Sequence, residues 1–182
     1  MKNTHTYAIS FSLIIIIIIA LLSFSCNNDM IVDANFPEPL IYLPLASTGI
    51  LDISEPDTSE TPQFFLNPEG SKLIIPVGVY RSGLTNLSNA TIDILANTDT
   101  LLSMGFDLSL ILPQDKSIFP ESIEMANGSE LAIFEVEIDR QYLIDTDLEE
   151  VVFALTVNSA QVESNEELNT LVIRIKPDVF EN

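Results

Sequence analysis

Cys26 is the one residue of this chain that could carry out thiol chemistry. It lies in LLSFSCNND, residues 21–29, directly after a run of isoleucines, and the 182-residue chain has no second cysteine. Such a residue can be a buried core side chain, a reactive thiol or a point of covalent attachment. An intrachain disulfide is excluded because there is no partner thiol.

A run of acidic residues near the end of the chain could bind a cation. Asp145, Asp147, Glu149 and Glu150 offer the oxygen ligands that calcium prefers. The run lacks the glycine and the distal glutamate of a helix-loop-helix calcium loop. We therefore favour a solvated acidic turn, and a weak calcium site at Asp145, Asp147 and Glu149 is the alternative. No other cofactor is expected.

The residue types beyond Cys26 exclude most kinds of catalytic site. The single histidine, His5, precedes Cys26, and the chain has no tryptophan. A Ser-His-acid or Cys-His site and a zinc site of His and Cys are therefore excluded within one chain. Carboxylate pairs can hydrolyse glycosides, but 27 acidic residues in a small domain make some close pairs inevitable. The sequence thus predicts a protein that is not an enzyme.

The charge of the chain restricts its partners. Its 27 acidic residues outnumber 7 Lys plus Arg, which gives a net charge of −20. Nucleic acids and anionic membrane surfaces are both bound through basic patches. We therefore expect no nucleic-acid partner, and membrane contact only through an attached lipid.

The first 25 residues have the layout of a signal peptide. Lys2 precedes an apolar stretch over residues 7–22, and the small residues Ser23 and Ser25 suit a peptidase. The segment resembles a bacterial lipoprotein signal, in which the cysteine becomes the first mature residue and carries acyl groups. Ser23 stands where that signal usually has leucine, so a plain secretory signal and an uncleaved anchor remain alternatives. Lipidation of Cys26 would make this a cell-envelope protein of the outer membrane, either periplasmic or surface-exposed.

Beyond the cysteine, the pattern predicts a tether and then a single domain. Residues 26–39 are polar, contain two prolines and show no periodicity, which is typical of a flexible segment. Residues 40–182 contain short alternating strands separated by turn residues. Seven to nine such strands predict an all-β, antiparallel sandwich of immunoglobulin-like type.

Several local patterns refine this prediction. Single helical turns are expected over residues 97–104 and 139–147. Pro76, inside KLIIPVGVYRS, removes a backbone donor and favours an edge strand or a bulge. Because charged partners stabilise neighbouring strands, we expect the strand with Arg174 and Lys176 to lie near an acidic one.

Residues 90–177 carry a resemblance to a known family. The matching parts are ATIDILANTD, LILPQDKSIFPESIEMANGSELAIFEVEIDRQYL and VVFALTV, with IYLPLAS preceding them. These segments resemble a domain of unknown function found on surface lipoproteins of Bacteroides-type bacteria, often at the N-terminal end of glycan-handling proteins. The resemblance implies an immunoglobulin-like sandwich and a link to polysaccharide use at the cell surface, and it carries over no catalytic residue.

Two functions follow as hypotheses. In the first, the chain is a lipid-anchored, non-enzymatic scaffold or binding module of a polysaccharide-utilisation system, with envelope proteins or polysaccharide as partners. In the second, it binds glycan directly through Tyr42, Tyr80 or Tyr142 and loop carboxylates, with or without calcium. The sequence does not identify the ligand or the ligand-binding residues.

Overall fold

The computed structural model describes residues 37–83 and 87–180. The predicted signal peptide, Cys26 and most of the predicted tether lie outside these residues. Strands form two sheets in the described part of the chain. The first sheet contains β1 (Leu40–Tyr42), β3 (Phe65–Leu66), β4 (Lys72–Arg81), β6 (Ser117–Ile118), β8 (Leu131–Asp139) and β10 (Glu163–Ser164). The second contains β2 (Ile50–Ile53), β5 (Ala90–Ala96), β7 (Ser122–Met125), β9 (Val151–Asn158) and β11 (Thr170–Ile175).

The two sheets form the predicted β-sandwich. The first sheet has the order β10-β1-β4-β8-β6, with β3 also paired to β4, and the second has the order β2-β11-β9-β5-β7. Three of the eleven strands have only two residues, and the eight longer ones agree with the predicted seven to nine. Pairing is mainly antiparallel, as predicted. However, β1 pairs with β10 and β2 pairs with β11 in parallel.

Alternating side chains build the core between the sheets. In β4, Leu73, Ile75, Val77 and Val79 are buried and point towards the second sheet. The predicted alternation of β8 is confirmed, since Phe134, Val136 and Ile138 are buried while Glu135 is exposed. In β9 and β11 the predicted inward residues join the same cluster: Val151, Phe153, Leu155, Val157, Leu171, Ile173 and Ile175. Their burial is the main stabilising contribution to the fold.

Both predicted helical turns are present as short α-helices, α1 (Thr98–Ser103) and α2 (Arg140–Asp145). Asn97 Oδ1 accepts the Thr100 backbone N–H at 2.9 Å and thereby caps α1. The remaining helical segments are 3₁₀ turns at Pro44–Thr48, Leu108–Leu110, Gln114–Lys116 and Pro177–Phe180. Among the described residues, no helix has the length and apolar character needed to span a membrane.

The two sheets differ in how their outer faces are covered. On the second sheet, Leu101 of α1 packs with Val152, Ala154 and Val172 in a separate buried cluster. Phe106 and Leu110, which follow α1 in the chain, also pack against this cluster. The outer face of the first sheet, by contrast, presents the exposed side chains of Tyr80 in β4 and of Leu131, Ile133 and Glu135 in β8, and this is where a surface site can form.

The prediction from Pro76 of an edge strand or a bulge is wrong, and β4 pairs with β8 in an unbroken register. Strand β4 lies inside the first sheet, with β8 along one side and β1 and β3 along the other. Pro76 is tolerated because β1 pairs only with Tyr80 and Arg81, and β3 only with Leu73 and Ile74. No strand pairs with Pro76 on that side, so its missing N–H interrupts no ladder there.

Candidate functional site

Two tyrosines lie together on the outer face of the first sheet. Tyr42 of β1 pairs with Tyr80 of β4, and their ring centroids are 6.0 Å apart at an interplanar angle of 33°. Tyr80 is 38% exposed although it lies in a central strand. Aromatic rings that combine an apolar body with a polar tip are common at binding surfaces.

The apolar surface continues from Tyr80 onto β8. Leu131 lies opposite Tyr80 and is 37% exposed, and Ile133 lies opposite Gly78 and is 61% exposed. Single exposed apolar residues are ordinary on protein surfaces, but these residues are contiguous with the tyrosine pair. The pairing register therefore collects an aromatic and aliphatic patch from three neighbouring strands.

A groove crosses this patch at Gly78, and we name it the Gly78 groove. Its volume is about 310 Å³. Its lining residues are Pro44, Leu45, Thr61, Pro62, Gln63, Pro76, Gly78, Tyr80, Leu131 and Ile133. The lining contains no Asp, Glu, Lys or Arg. It is an apolar groove with few polar groups, as is typical of small-molecule sites.

The loop that forms one wall of the Gly78 groove is organised by Asp57. Its carboxylate accepts the backbone N–H of Ser59 at 3.0 Å and that of Gln63 at 2.7 Å. Hydrogen bonds from the Ser59 side chain, the Gln63 backbone and the Ser59 backbone lower the pKa of Asp57 below its ordinary value of 3.8. These bonds stabilise the ionised carboxylate and hold Thr61, Pro62 and Gln63 beside β4.

A larger cavity lies between β6 of the first sheet and β5 and β7 of the second sheet, and we name it the edge cavity. Its volume is about 670 Å³. It is lined by Asp93, Ile94, Leu95, Ala96, Gln114, Ser117, Ile118, Phe119, Glu121 and Ser122. Asp93 and Glu121 make it more acidic than the Gly78 groove, and it has no exposed tyrosine. Ile118, which is 57% exposed, is its most prominent apolar residue on the first sheet.

The structure does not bring the three predicted calcium ligands into one cluster. Asp145 lies at the end of α2 and accepts a hydrogen bond from Gln141 Nε2 at 2.8 Å. Asp147 and Glu149 line a shallow cavity that also contains Lys176. Within residues 37–83 and 87–180, no group of three or more acidic side chains is arranged to hold a metal ion. The calcium prediction therefore rests on the sequence alone.

Of the three tyrosines named in the hypothesis of direct glycan binding, Tyr142 lies apart from the other two. It is half-buried against the core, and Lys116 Nζ lies 5.9 Å from its ring centroid. Tyr42 and Tyr80 are thus the two that share a surface. The predicted loop carboxylates are absent from the lining of the Gly78 groove.

The strand that contains Arg174 and Lys176 has an acidic neighbour, as predicted. Arg174 of β11 lies opposite Asp52 of β2, and its Nη2 donates to Asp52 Oδ2 at 2.5 Å. The hydrogen bond to Asp52 raises the pKa of Arg174, and the charges of Asp52 and Glu150 add to the effect. The Glu-rich strand β8 belongs to the other sheet, so it does not supply the partner.

Sequence reasoning did not identify Gly78 or the aliphatic pair Leu131 and Ile133 as site residues. A glycine inside a strand is a signal for close approach of a ligand or of another backbone. Leu131 and Ile133 stand on the side of β8 where the pattern otherwise places acids. Their contact with Tyr80 and Gly78 depends on a pairing between strands that are distant in the sequence.

Comparison with known proteins adds information on the fold. No protein-family model and no curated protein sequence matches the chain. A candidate carbohydrate-binding protein from Bacteroides ovatus is similar over 75% of this chain and 36% of its own, with a TM-score of 0.54 and 12% identity. A two-domain protein of unknown function from Bacteroides fragilis is similar over 76% of this chain and 45% of its own, with a TM-score of 0.52 and 10% identity.

These similarities show that the sandwich fold recurs in Bacteroides proteins. The chain spans less than half the length of either protein. At such low identity the comparison concerns the fold alone, so the activities and partners of the longer proteins are not transferred to this chain.

Proposed function

We propose that this chain is a lipid-anchored, non-enzymatic cell-envelope protein that serves as a glycan-binding module of a polysaccharide-utilisation system. The observation that carries the proposal is the patch of Tyr42, Tyr80, Leu131 and Ile133 on the open face of the first sheet. Sugar rings have apolar C–H faces that pack against aromatic and aliphatic side chains, and hydroxyls that form hydrogen bonds with groups around them. A surface of this composition suits a neutral polysaccharide better than it suits a nucleic acid.

The comparisons support the same class of function. One of the two similar structures is described as a candidate carbohydrate-binding protein. The resemblance of residues 90–177 to domains of glycan-handling surface lipoproteins points in the same direction. Neither observation names a ligand for this chain.

The anchor and the location are supported by the sequence. Lys2, the apolar run and Cys26 have the order of a lipoprotein signal, and the net charge of −20 disfavours direct adhesion to an anionic membrane. We place the protein at the outer membrane, facing either the periplasm or the outside. The non-enzymatic assignment is supported by the lack of histidine and cysteine after Cys26.

Two experiments test the proposal. Wild type and Cys26→Ala are expressed in a Bacteroides host, fractionated and labelled with a fatty-acid analogue. The variant is expected in the soluble fraction and without label. Membrane retention and labelling of Cys26→Ala would contradict lipidation.

Glycan binding is tested by native affinity electrophoresis of the purified full-length chain. The gels contain amylopectin, arabinoxylan or galactomannan, and the expected result is slower migration in at least one of them. Unchanged migration in all three would argue against a direct binding function.

A scaffold role in the same system is the second candidate function. It is favoured by a separate set of exposed apolar residues, Leu102, Met104 and Leu108, in and after α1. Replacement of these three residues by serine is expected to reduce recovery of envelope proteins in cross-linked pull-downs while migration in polysaccharide gels is unchanged. Recovery equal to wild type would rule out this surface as the scaffold contact.

A further inference from the structure

The backbone pairing of β4 is interrupted at Gly78. Arg81 N–H donates to Glu130 O at 2.9 Å, and Arg140 N–H donates to Ser71 O at 3.1 Å. Backbone groups of successive residues point to opposite sides of a strand, so these two bonds show that odd-numbered residues of β4 face β8. The N–H and C=O of Gly78, and the C=O of Pro76, therefore face the side occupied by β1 and β3.

On the β1 side the ladder ends because Pro44 has no N–H. Tyr80 lies opposite Tyr42, and Ser82 N–H donates to Leu40 O at 2.9 Å. The same spacing puts Pro44 opposite Gly78, where an ordinary residue would donate to the Gly78 C=O. Proline cannot do so, and the chain turns away into the 3₁₀ segment that begins at Pro44.

On the β3 side the ladder ends at Pro76. Ile74 lies opposite Phe65, so the next bonded pair would join Pro76 to Gln63. Pro76 has no N–H to donate, and the N–H of Gln63 is bonded to Asp57 instead. Among the described residues, no backbone hydrogen bond joins the flanking turns and loops to the N–H or C=O of Gly78 or to the C=O of Pro76.

Gly78 is not required by its own backbone conformation, because its φ lies outside the left-handed region. A Cβ at this position would lie 3.3 Å from Leu131 Cδ1 and 3.3 Å from Tyr80 Cε2. Glycine weakens a strand interior, so its presence here has a local cost. Without a side chain at this position, Tyr80 and Leu131 pack closely over Gly78, beside one backbone donor and two backbone acceptors with which no neighbouring strand pairs.

We propose that the Gly78 groove binds one uncharged sugar ring of a polysaccharide and does so without calcium. This inference rests on the proposed function and specifies its site. The apolar face of the ring packs on Tyr80, Leu131 and Ile133, and its hydroxyls bond to the peptide groups of Gly78 and to the C=O of Pro76. The volume of about 310 Å³ is at the lower end of the range for small-molecule sites and suits a single ring.

Charge explains why the ring is neutral and why calcium is not needed. The groove lining has no carboxylate to bind a cation and no basic side chain to bind an anion. The outward residues of β8 next to Ile133 are Glu135 and Glu137, which repel an anionic sugar. Acidic polysaccharides are therefore excluded from the ligand class.

The test uses the full-length chain and affinity gels of amylopectin, arabinoxylan, galactomannan and acidic polygalacturonate. Gly78→Ala places a methyl group against Tyr80 and Leu131 and so reshapes the groove, and Tyr80→Ala removes its aromatic wall. Ile118→Ala is the matched control, because Ile118 is an exposed apolar residue of the same sheet that lines the edge cavity instead. Thermal unfolding of each variant shows whether it is folded. If Gly78→Ala is not folded, Tyr80→Ala is used as the only groove variant.

The expected result is that both groove variants raise the Kd for the retained neutral polysaccharide by about tenfold or more, equivalent to about 1.4 kcal/mol. Ile118→Ala should bind like wild type, a chelator should change nothing, and polygalacturonate should not retard the chain. Three results would overturn the groove assignment: unchanged binding in Gly78→Ala and Tyr80→Ala, loss of binding in Ile118→Ala, and loss of binding with chelator. Each of them leaves the proposed function standing. Preference for polygalacturonate does the same. If wild type binds none of the four, the proposed function fails and this inference fails with it.

Discussion

Asp57 Oδ2 accepts a hydrogen bond from the backbone N–H of Gln63 at 2.7 Å, across six positions of the chain. This bond closes the loop that walls the Gly78 groove, and it uses the donor that would otherwise pair with Pro76. A single surface carboxylate thus both shapes the groove and keeps a backbone acceptor of β4 free.

Asp57→Ala should therefore remove a contribution to stability that depends on pH in a defined direction. The pKa of Asp57 is lowered in the folded chain from its ordinary value of 3.8. A lowered folded-state pKa means that the ionised carboxylate favours the folded state, fully above pH 3.8 and progressively less as the pH falls through the lowered pKa. The difference in unfolding free energy between wild type and Asp57→Ala, measured by urea titration, is expected to be constant at neutral pH and to vanish in acid.

Hydrogen exchange provides a second measurement for Asp57. The backbone amide of Gln63 should exchange slowly in wild type and faster in Asp57→Ala. Thr58→Ala, at an exposed neighbouring position, is the matched control. Equal protection of the Gln63 amide in wild type and Asp57→Ala would show that the loop is closed by other contacts.

Arg81 is expected to be essential for stability. It is 2% exposed, and its guanidinium donates to the backbone C=O groups of Ser88, Ala126 and Ser129. Arg81→Met keeps most of the apolar length and leaves three carbonyls without this donor, so we expect a loss of about 3 kcal/mol of unfolding free energy. Arg174→Met breaks the more exposed ion pair with Asp52 and should cost less than about 1 kcal/mol. Equal losses in the two variants would contradict this interpretation of burial.

The cap of α1 should make a smaller contribution. Asn97 Oδ1 accepts the Thr100 N–H, and its Nδ2 donates to Thr156 Oγ1 at 2.7 Å. Asn97→Ala removes both bonds, and we expect a loss of about 1–2 kcal/mol, measured by chemical denaturation. Thr98→Ala, at an exposed position of the same helix, should change stability by no more than about 0.5 kcal/mol. If Asn97→Ala leaves the free energy of unfolding unchanged, α1 is held by the packing of Leu101 alone.

Calcium is expected to leave the thermal midpoint of the chain unchanged. Asp145 is engaged by Gln141, and Lys176 lies beside Asp147 and Glu149, so the three acids are not gathered around one position. A ligand that binds only the folded state raises the midpoint progressively, with the logarithm of its concentration once that exceeds the Kd. A rise in the midpoint with calcium that is absent in Asp147→Asn would establish the site predicted from sequence.

The fold was predictable because its signals are local. Alternation in β8 and β9, the capping residue Asn97 and the turn after Asp139 each act within a few positions of the chain. The inward residues Phe134, Val136 and Ile138 could therefore be assigned from the pattern of β8 alone.

The candidate site was only partly predictable because it is assembled from distant segments. Tyr42 and Tyr80 were named individually, but their contact depends on the pairing of β1 with β4. The missing N–H of Pro76 indicated an edge strand or a bulge, because in an interior strand a proline usually interrupts the pairing on one side. In the structure, β1 and β3 each pair with a short part of β4 and leave Pro76 unpaired between them. The sequence pattern of β4 alone does not reveal this gap in the pairing.

The parallel pairings have a consequence for how the chain reaches this structure. Strand β2 is held by β11, and Asp52 and Arg174 are 122 positions apart. Strand β1 is likewise held by β10. Closing such long loops is slow, and folding on the order of milliseconds to seconds is typical of sandwiches dominated by distant contacts. During synthesis, β2 must wait without its partner until Thr170–Ile175 has been made, so the second sheet is completed only after the last strand emerges.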